Sequence, residues 1–237
     1  LRQVSDGKIY HIPYILDFPP SMSTMIRKDW LDNLGLQTPV TYEQWKAVWQ
    51  AFKDQDANGD GDKNNEIPLV LAGGTANLLE YATMFGIKVN NMNTDPWFVV
   101  NDNNELVSIF EHPNFKTYLG EMADLYKKGL LDQEFATRGG DGFKSVLDTG
   151  MAGSTIWFAE RARLTTEVLR KTNPKAAFIG VPPVKSPDGK QLIKARDKIA
   201  TTGLTLTVQA KKDGKDRQIM EFYDYVYSDE GSALMNY

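Results

Sequence analysis

The 237-residue chain sets 27 Lys+Arg against 31 Asp+Glu, a formal net charge of −4, with 41% hydrophobic and 24% charged residues. A chain of this length and composition is globular and buries about 70% of its unfolded surface, and its weak acidity lacks the basic footprint that nucleic-acid binding needs. The absence of cysteine excludes disulfides, thiolate nucleophiles and Cys-ligated metal centres, and no apolar run approaches the roughly 18 residues of a membrane span.

Asp6-Gly7 marks a turn, after which KIYHIPYI reads as a strand ending near Pro13. Residues 17–23 (DFPPSMS) read as an irregular crossing, and residues 25–35 (MIRKDWLDNLG) as a short helix closed by Gly35. The strongest helix begins at Thr41. Thr41 and Gln44 have capping-box spacing, and Tyr42, Trp45, Trp49 and Phe52 fall on one face. A polar loop, DANGDGDKNNE, precedes a predicted strand, IPLVLAGG. WFVV and ELVSIF flank the NDNN turn as a hairpin, and FKTYLGEMADLYKKG is a second amphipathic helix stopped by Gly129. TRGGDG reads as a flexible loop. MAGSTIW is a strand leading into the helix FAERARLTTEVLRK, AAFIGVPP is a strand and SPDGK a turn. IATTGLTLTVQA reads as one long alternating strand, and the helix RQIMEFYDYVY and a shorter one after Ser228 close the chain. Strands and helices alternate throughout, so the class is α/β with short strands.

The sharpest chemical signal is the loop from Asp56 to Glu66. Calcium takes six to eight oxygen ligands, and alternate residues of a tight loop point inward together. Asp56, Asn58 and Asp60 match loop positions 1, 3 and 5, and Gly61 the obligatory turn. Asp62 would give its backbone carbonyl and Asn64 its side chain or a bridging water. Glu66 falls one position short of the usual closing acid, where Ile67 stands. A strand follows where an EF-hand has a helix, which points to a structural metal and not a sensor.

Nucleophilic catalysis has little support. There is no G-x-S-x-G, Gly153-Ser154-Thr155 lacks the second glycine, and His11 and His112 have no partner motif. Gly139-Gly140-Asp141-Gly142 lacks the ending of a phosphate loop. Trp45 and Trp49 read most simply as core. Trp157 ends a strand just before a helix holding Arg161 and Arg163, where α/β proteins place binding crevices. Its indole could stack on a sugar ring or cap the core, and the residues alone leave both readings open.

Seven segments in order resemble those of extracellular solute-binding proteins of family 1, the sugar-binding lipoprotein component of an ABC importer. They are DGKIYHIPY; IRKDWLDNLGL with TPVTYEQW; DANGDGDKNNEIPL; LYKKGLLDQEFAT; FKSVLDTGMAGSTIW; VPPVKSPDGK; and YDYVYSDEGSALMNY. The resemblance implies a periplasmic-binding-protein-like type II α/β fold, two lobes joined by hinge strands, here mostly the C-terminal lobe. Residues 1–20 would cross from the first lobe, 21–200 form the second lobe with its calcium loop, and 201–237 return toward the first. Family members are longer and open with a signal peptide and a lipidated cysteine, so a fragment is expected here, from a protein anchored outside the cell by its lipid.

The implied function is binding without turnover. An oligosaccharide is gripped by lobe closure and delivered to ABC permease subunits, with no nucleic-acid partner and with membrane contact only through the anchor. The implied structural Ca²⁺ is held by Asp56, Asn58, Asp60, Asp62, Asn64 and Glu66; relatives usually carry an acid one position earlier, at Asn65. Trp157 corresponds to a position that commonly stacks sugar, with Phe158, Arg161, Tyr14 and Asp17 as further ligand candidates. The segments 27–30 and 228–231 read as structural. The rival readings are a calcium-stabilised carbohydrate-active enzyme or a carbohydrate-binding module; an adhesion module would predict repeated loops, and the chain has one.

Overall fold

A computed structural model describes residues 6–7, 9–15, 22–71, 75–89, 97–101, 103–193 and 199–236. In chain order the first elements are β1 (Ile12–Ile15), β2 (Met22–Arg27), α1 (Lys28–Asn33), α2 (Tyr42–Asp54) and β3 (Ile67–Leu69). A 3-10 helix, Thr75–Phe85, precedes β4 (Phe98–Val100), β5 (Leu106–Ser108), α3 (Phe115–Lys127), α4 (Gly140–Asp148) and β6 (Ala152–Phe158). The rest are α5 (Glu160–Leu169), β7 (Phe178–Val181), β8 (Ile199–Leu204), α6 (Val208–Lys212), α7 (Asp216–Val226) and α8 (Asp229–Asn236). The chain divides into two units, residues 18–196 and residues 1–17 with 197–237.

The larger unit is built on a four-stranded sheet ordered β3-β6-β2-β7. β3 runs parallel to β6, while β2 lies antiparallel to both its neighbours, with Met25 opposite Thr155 on β6 and Gly180 on β7. Both faces are covered. Met22, Ile26, Leu69 and Leu71 pack with Trp30, Trp45, Trp49, Phe52 and Tyr118 on one side. Met25, Val70 and Phe178 pack with Phe143, Val146, Leu147 and Leu169 on the other.

α2 forms as its spacing predicts. Thr41 and Gln44 make the capping box, and Tyr42, Trp45, Val48, Trp49 and Phe52 are all buried. Trp45 and Trp49 are fully enclosed, so both are core residues. The Trp49 indole N–H donates to Ser154 Oγ at 2.8 Å, and that hydroxyl donates to Pro68 O at 2.7 Å, tying α2 to the two parallel strands. Gly153 lets helix and strand meet: a Cβ there would lie 2.7 Å from Phe52 and 2.8 Å from Trp30. Arg27 is buried. Its guanidinium grips both Asp29 carboxylate oxygens (2.8 and 2.6 Å) and Gly150 O (2.8 Å) and covers the Trp30 ring. An ion pair so enclosed fixes local geometry more than it adds stability.

Three expectations about elements are corrected, and one element is unmarked in the sequence. The helix expected over 25–35 begins only at Lys28, because Met22–Arg27 is a sheet strand between β6 and β7, buried at nearly every position. TRGGDG is not all loop: α4 begins at Gly140, carried by Phe143, Val146 and Leu147 on one apolar face. The strand expected to run to Ala210 stops at Leu204; Thr207 then accepts from Ala210 N at 3.1 Å and caps α6. The 3-10 helix at 75–85, to which no element was assigned, buries Leu79, Tyr81, Ala82 and Met84. The hairpin is as expected, with Val99 opposite Val107.

The smaller unit pairs β1 with β8 antiparallel, Ile12 opposite Leu204, and adds α6, α7 and α8. α7 buries none of its residues. Ser228 donates to Tyr225 O (2.7 Å) and accepts from Gly231 N (3.1 Å), closing one helix and opening the next. No helix among the described residues is long and apolar enough to cross a membrane.

Candidate functional site

Two places in the larger unit gather the residues that the sequence singles out. The first is the loop leaving α2 and entering β3, a helix–loop–strand arrangement. Asp56 organises its turn: Oδ1 accepts from Gly59 N (2.9 Å) and Asp60 N (3.1 Å), and Oδ2 from Gly61 N (2.9 Å). Gly59 (φ 75) and Gly61 (φ 96) adopt backbone angles that only glycine takes freely. Asn58 Oδ1 accepts from Asp60 N, Asp60 Oδ1 from Asp62 N, and Asp62 Oδ1 from Asn64 N (2.8, 2.8 and 3.0 Å). These bonds fold the loop into successive turns, each side chain accepting from the amide two residues on. They also hold the Asp60 carboxyl below the usual range, the Asp62 N–H first, then the amides of Asn65 and Asn58.

Asn65 belongs to the same cluster, although it was not among the candidates. It accepts from Asn58 Nδ2 (2.8 Å) and donates to Asp60 Oδ2 (2.7 Å). Glu66 closes the loop from beneath. It is 2% exposed, and its Oε1 accepts from Ala57 N (3.1 Å) and Asn58 N (3.5 Å). Its buried Oε2 has no partner, and burial raises its pKa against the pull of those amides. Among the described residues no three His, Cys, Asp or Glu side chains converge on one point. The loop instead offers carboxylate, amide and backbone-carbonyl oxygens on Asp56, Asn58, Asp60, Asp62, Asn64 and Glu66. That mixture, with an orphaned acid oxygen at its base, suits a hard cation.

The second place is the carboxyl end of β6. Trp157 is partly buried, its ring edge-on to Phe143 (5.4 Å, 62°) and to Phe158 (5.0 Å, 77°). Arg161, the second residue of α5, pairs with Asp148 Oδ1 at 2.5 Å, and Thr165 donates to the same oxygen at 3.4 Å. Arg163 pairs with Glu160 and Glu167. Beside this end a small cavity is lined by Met22, Thr24, Glu80, Thr83, Ile156 and Val184; Glu80, 3% exposed, drew no notice in the sequence. Tyr14 lies in β1, in the smaller unit, and Asp17 lies outside the described residues. His112 accepts at Nδ1 from Asn114 N (3.2 Å), a local turn bond, and burial lowers its pKa.

The larger unit is thus a sheet covered by helices on both faces, with aromatic side chains at the carboxyl end of a parallel strand. No family model matches the chain. It is 31% identical over 144 residues to the fructooligosaccharide ABC transporter substrate-binding protein FusA of Streptococcus pneumoniae, covering 56% of this chain and 26% of that one. It is 26% identical over 234 residues to the polygalacturonan/rhamnogalacturonan-binding protein YtcQ of Bacillus subtilis, covering 98% of this chain and 45% of that one.

Among solved structures, the alginate-binding protein AlgQ2 without calcium ion aligns with a TM-score of 0.76 at 24% identity, over 95% of this chain and 45% of that one. FusA in complex with kestose aligns at 0.73 and 23% identity, over 100% and 47%, and an EF-hand mutant of FusA with fructo-nystose has also been solved. The chain thus has the α/β fold of two-lobed solute-binding proteins and homologues among ABC sugar-binding proteins. It spans less than half the length of these relatives.

Proposed function

We propose that this chain forms the second lobe, with adjoining parts of the first, of an extracellular oligosaccharide-binding protein that delivers its cargo to an ABC importer. One observation carries the reading. Trp157 stands partly exposed at the carboxyl end of β6, against Phe143 and Phe158, where a flat ring can stack on the apolar face of a sugar. The homology to proteins named for fructooligosaccharide and polygalacturonan binding supports the same class of ligand. In this reading Phe158 borders the stacking ring, and Arg161, Tyr14 and Asp17 are further ligand candidates. Ligand shifts an open–closed equilibrium toward the closed form, which engages the permease subunits. The chain binds and does not turn over its ligand, and the full-length protein is held outside the cell by a lipid anchor.

The loop at Asp56–Glu66 is assigned a structural Ca²⁺. Six residues supply oxygens of the kind calcium takes, and the buried, unpartnered Glu66 Oε2 marks where a cation would relieve the loop. Such an ion would fix the end of α2 against the start of β3.

Thermal unfolding in calcium against neutral and acidic oligosaccharides tests the proposal. Ligand at a hundred times its Kd adds about 2.7 kcal/mol, a rise of several degrees for a chain of this length. Trp157→Ala should erase that rise. Sugar cleaved during the assay would favour the rival reading, a calcium-stabilised carbohydrate-active enzyme. A panel that stays flat with both the chain and the full-length protein would overturn the binding function.

A further inference from the structure

We infer that Asn58 is a self-modification site, at which the neighbouring backbone converts its amide to an acid once the loop opens, and that the product makes the loop depend on a cation. The second part rests on the metal reading above; the first does not.

Asn58-Gly59 is the single Asn-Gly pair of the sequence. Glycine after asparagine gives the least hindrance to the rotation that brings its backbone nitrogen onto the side-chain carbonyl carbon. Nothing around Gly59 adds hindrance: a Cβ there would meet only Asn33 Nδ2, at 3.4 Å. Every other asparagine is followed by a bulkier residue.

The closed loop holds both reacting groups apart. Gly59 N is committed to Asp56 Oδ1 (2.9 Å). The Asn58 carboxamide is held three times, accepting from Asp60 N (2.8 Å) and donating to Asp60 Oδ2 (3.0 Å) and Asn65 Oδ1 (2.8 Å). Reaction therefore requires opening. Gly59 N then loses its proton to solvent base and bonds to Cγ of Asn58, and the side-chain nitrogen leaves as ammonia. One water opens the resulting cyclic imide at either carbonyl, giving aspartate or its isoaspartyl isomer at position 58. No oxidant or reductant takes part.

The aspartyl product reverses the logic of the loop. Nδ2 of Asn58 is now a donor shared by Asp60 and Asn65. An oxygen in its place would face two acceptors, one of them a like charge, so the loop alone loses two bonds and gains a repulsion. With a cation, the same change puts carboxylates at positions 56, 58 and 60, the alternate positions that coordinate it.

The test incubates the 237-residue chain at mildly alkaline pH in denaturant, in chelator and in excess calcium, and maps acid formation at each asparagine by peptide mass spectrometry. In denaturant, position 58 should convert first; in the folded chain it should convert severalfold more slowly, slowest in calcium. Gly59→Ala should suppress conversion in denaturant. Another asparagine converting ahead of Asn58 in denaturant, or equal rates folded and unfolded, overturns the inference. Equal rates in chelator and calcium, with no heat of calcium binding, refute the metal reading and leave the modification standing. Asn58→Asp should melt lower than the parent in chelator and gain more than the parent from calcium; a gain no larger than the parent's overturns the second part.

Discussion

Ser154→Ala tests the central joint of the larger unit. Ser154 is fully buried, accepts the Trp49 indole N–H at 2.8 Å and donates to Pro68 O at 2.7 Å. Alanine removes one oxygen and leaves two buried groups, a donor on α2 and an acceptor on β3, without that partner. Each such group costs about 1–3 kcal/mol, so a loss of about 2–4 kcal/mol follows if the strands relax a little. For a chain of this length 1 kcal/mol shifts Tm by about 2–4 °C, and the melt should fall by roughly 5–15 °C. Trp49→Phe removes the donor itself. In that background Ser154→Ala should cost about 1 kcal/mol less, and the coupling is read from the double-mutant cycle. A single-mutant loss below about 0.5 kcal/mol, the range of neutral surface changes, would refute the reasoning, as would strict additivity.

Gly153→Ala drives a methyl into Phe52 and Trp30 at under 3 Å, and should cost about 1–3 kcal/mol in a thermal melt. An unchanged Tm would mean that α2 can step back from β6. Glu66→Gln exchanges a buried charge for a neutral amide. Because burial raises the Glu66 pKa, the folded chain holds that proton more tightly than the unfolded one. Its contribution is full in acid and is lost as pH rises through the folded pKa. In chelator the variant should therefore melt at or above the parent at neutral pH, with a flatter acid limb, and it should forfeit the gain in Tm from calcium. An undiminished gain would remove Glu66 from the cation site. His112 has the opposite sense: its pKa is lowered by burial, so stability falls as pH drops below the unfolded value of about 6.5. His112→Gln should remove that part of the acid dependence, read as a smaller Tm difference between neutral and mildly acidic buffer.

Much of the local structure was legible because its causes are local. The capping box of α2, its aromatic face and the β4–β5 hairpin depend on residues a few positions apart. The Asp56 loop is similarly self-contained, each turn being set by a side chain and an amide two to five residues on. β2 was misread because a strand buried on both faces has no alternation, and MSTMIR runs directly into a true helix. The start of α4 was hidden by glycines that the apolar face overrides. At the site, the sequence could propose Trp157 and Arg161 but not the Asp148 that occupies the Arg161 guanidinium, since that pair spans two helices. Spacing does not mark Asn65, whose part comes from the amide pairs it makes across the loop. No local pattern marks the burial of Glu80.

β6 lies between β3 and β2, is buried from Ala152 to Ile156, and is pinned by Ser154 and by the Tyr81 hydroxyl on Ile156 N. Its amides should be among the last to exchange with solvent, opening only with the whole unit. Trp157 and Phe158 are the final residues of that strand. The aromatic pair is therefore carried by the stiffest segment of the unit, with little backbone freedom left to lose when something stacks on it. Preorganisation of this kind lowers the entropy cost of binding. A ligand of the kind proposed above would meet rings already in place, and not a surface that remodels itself around it.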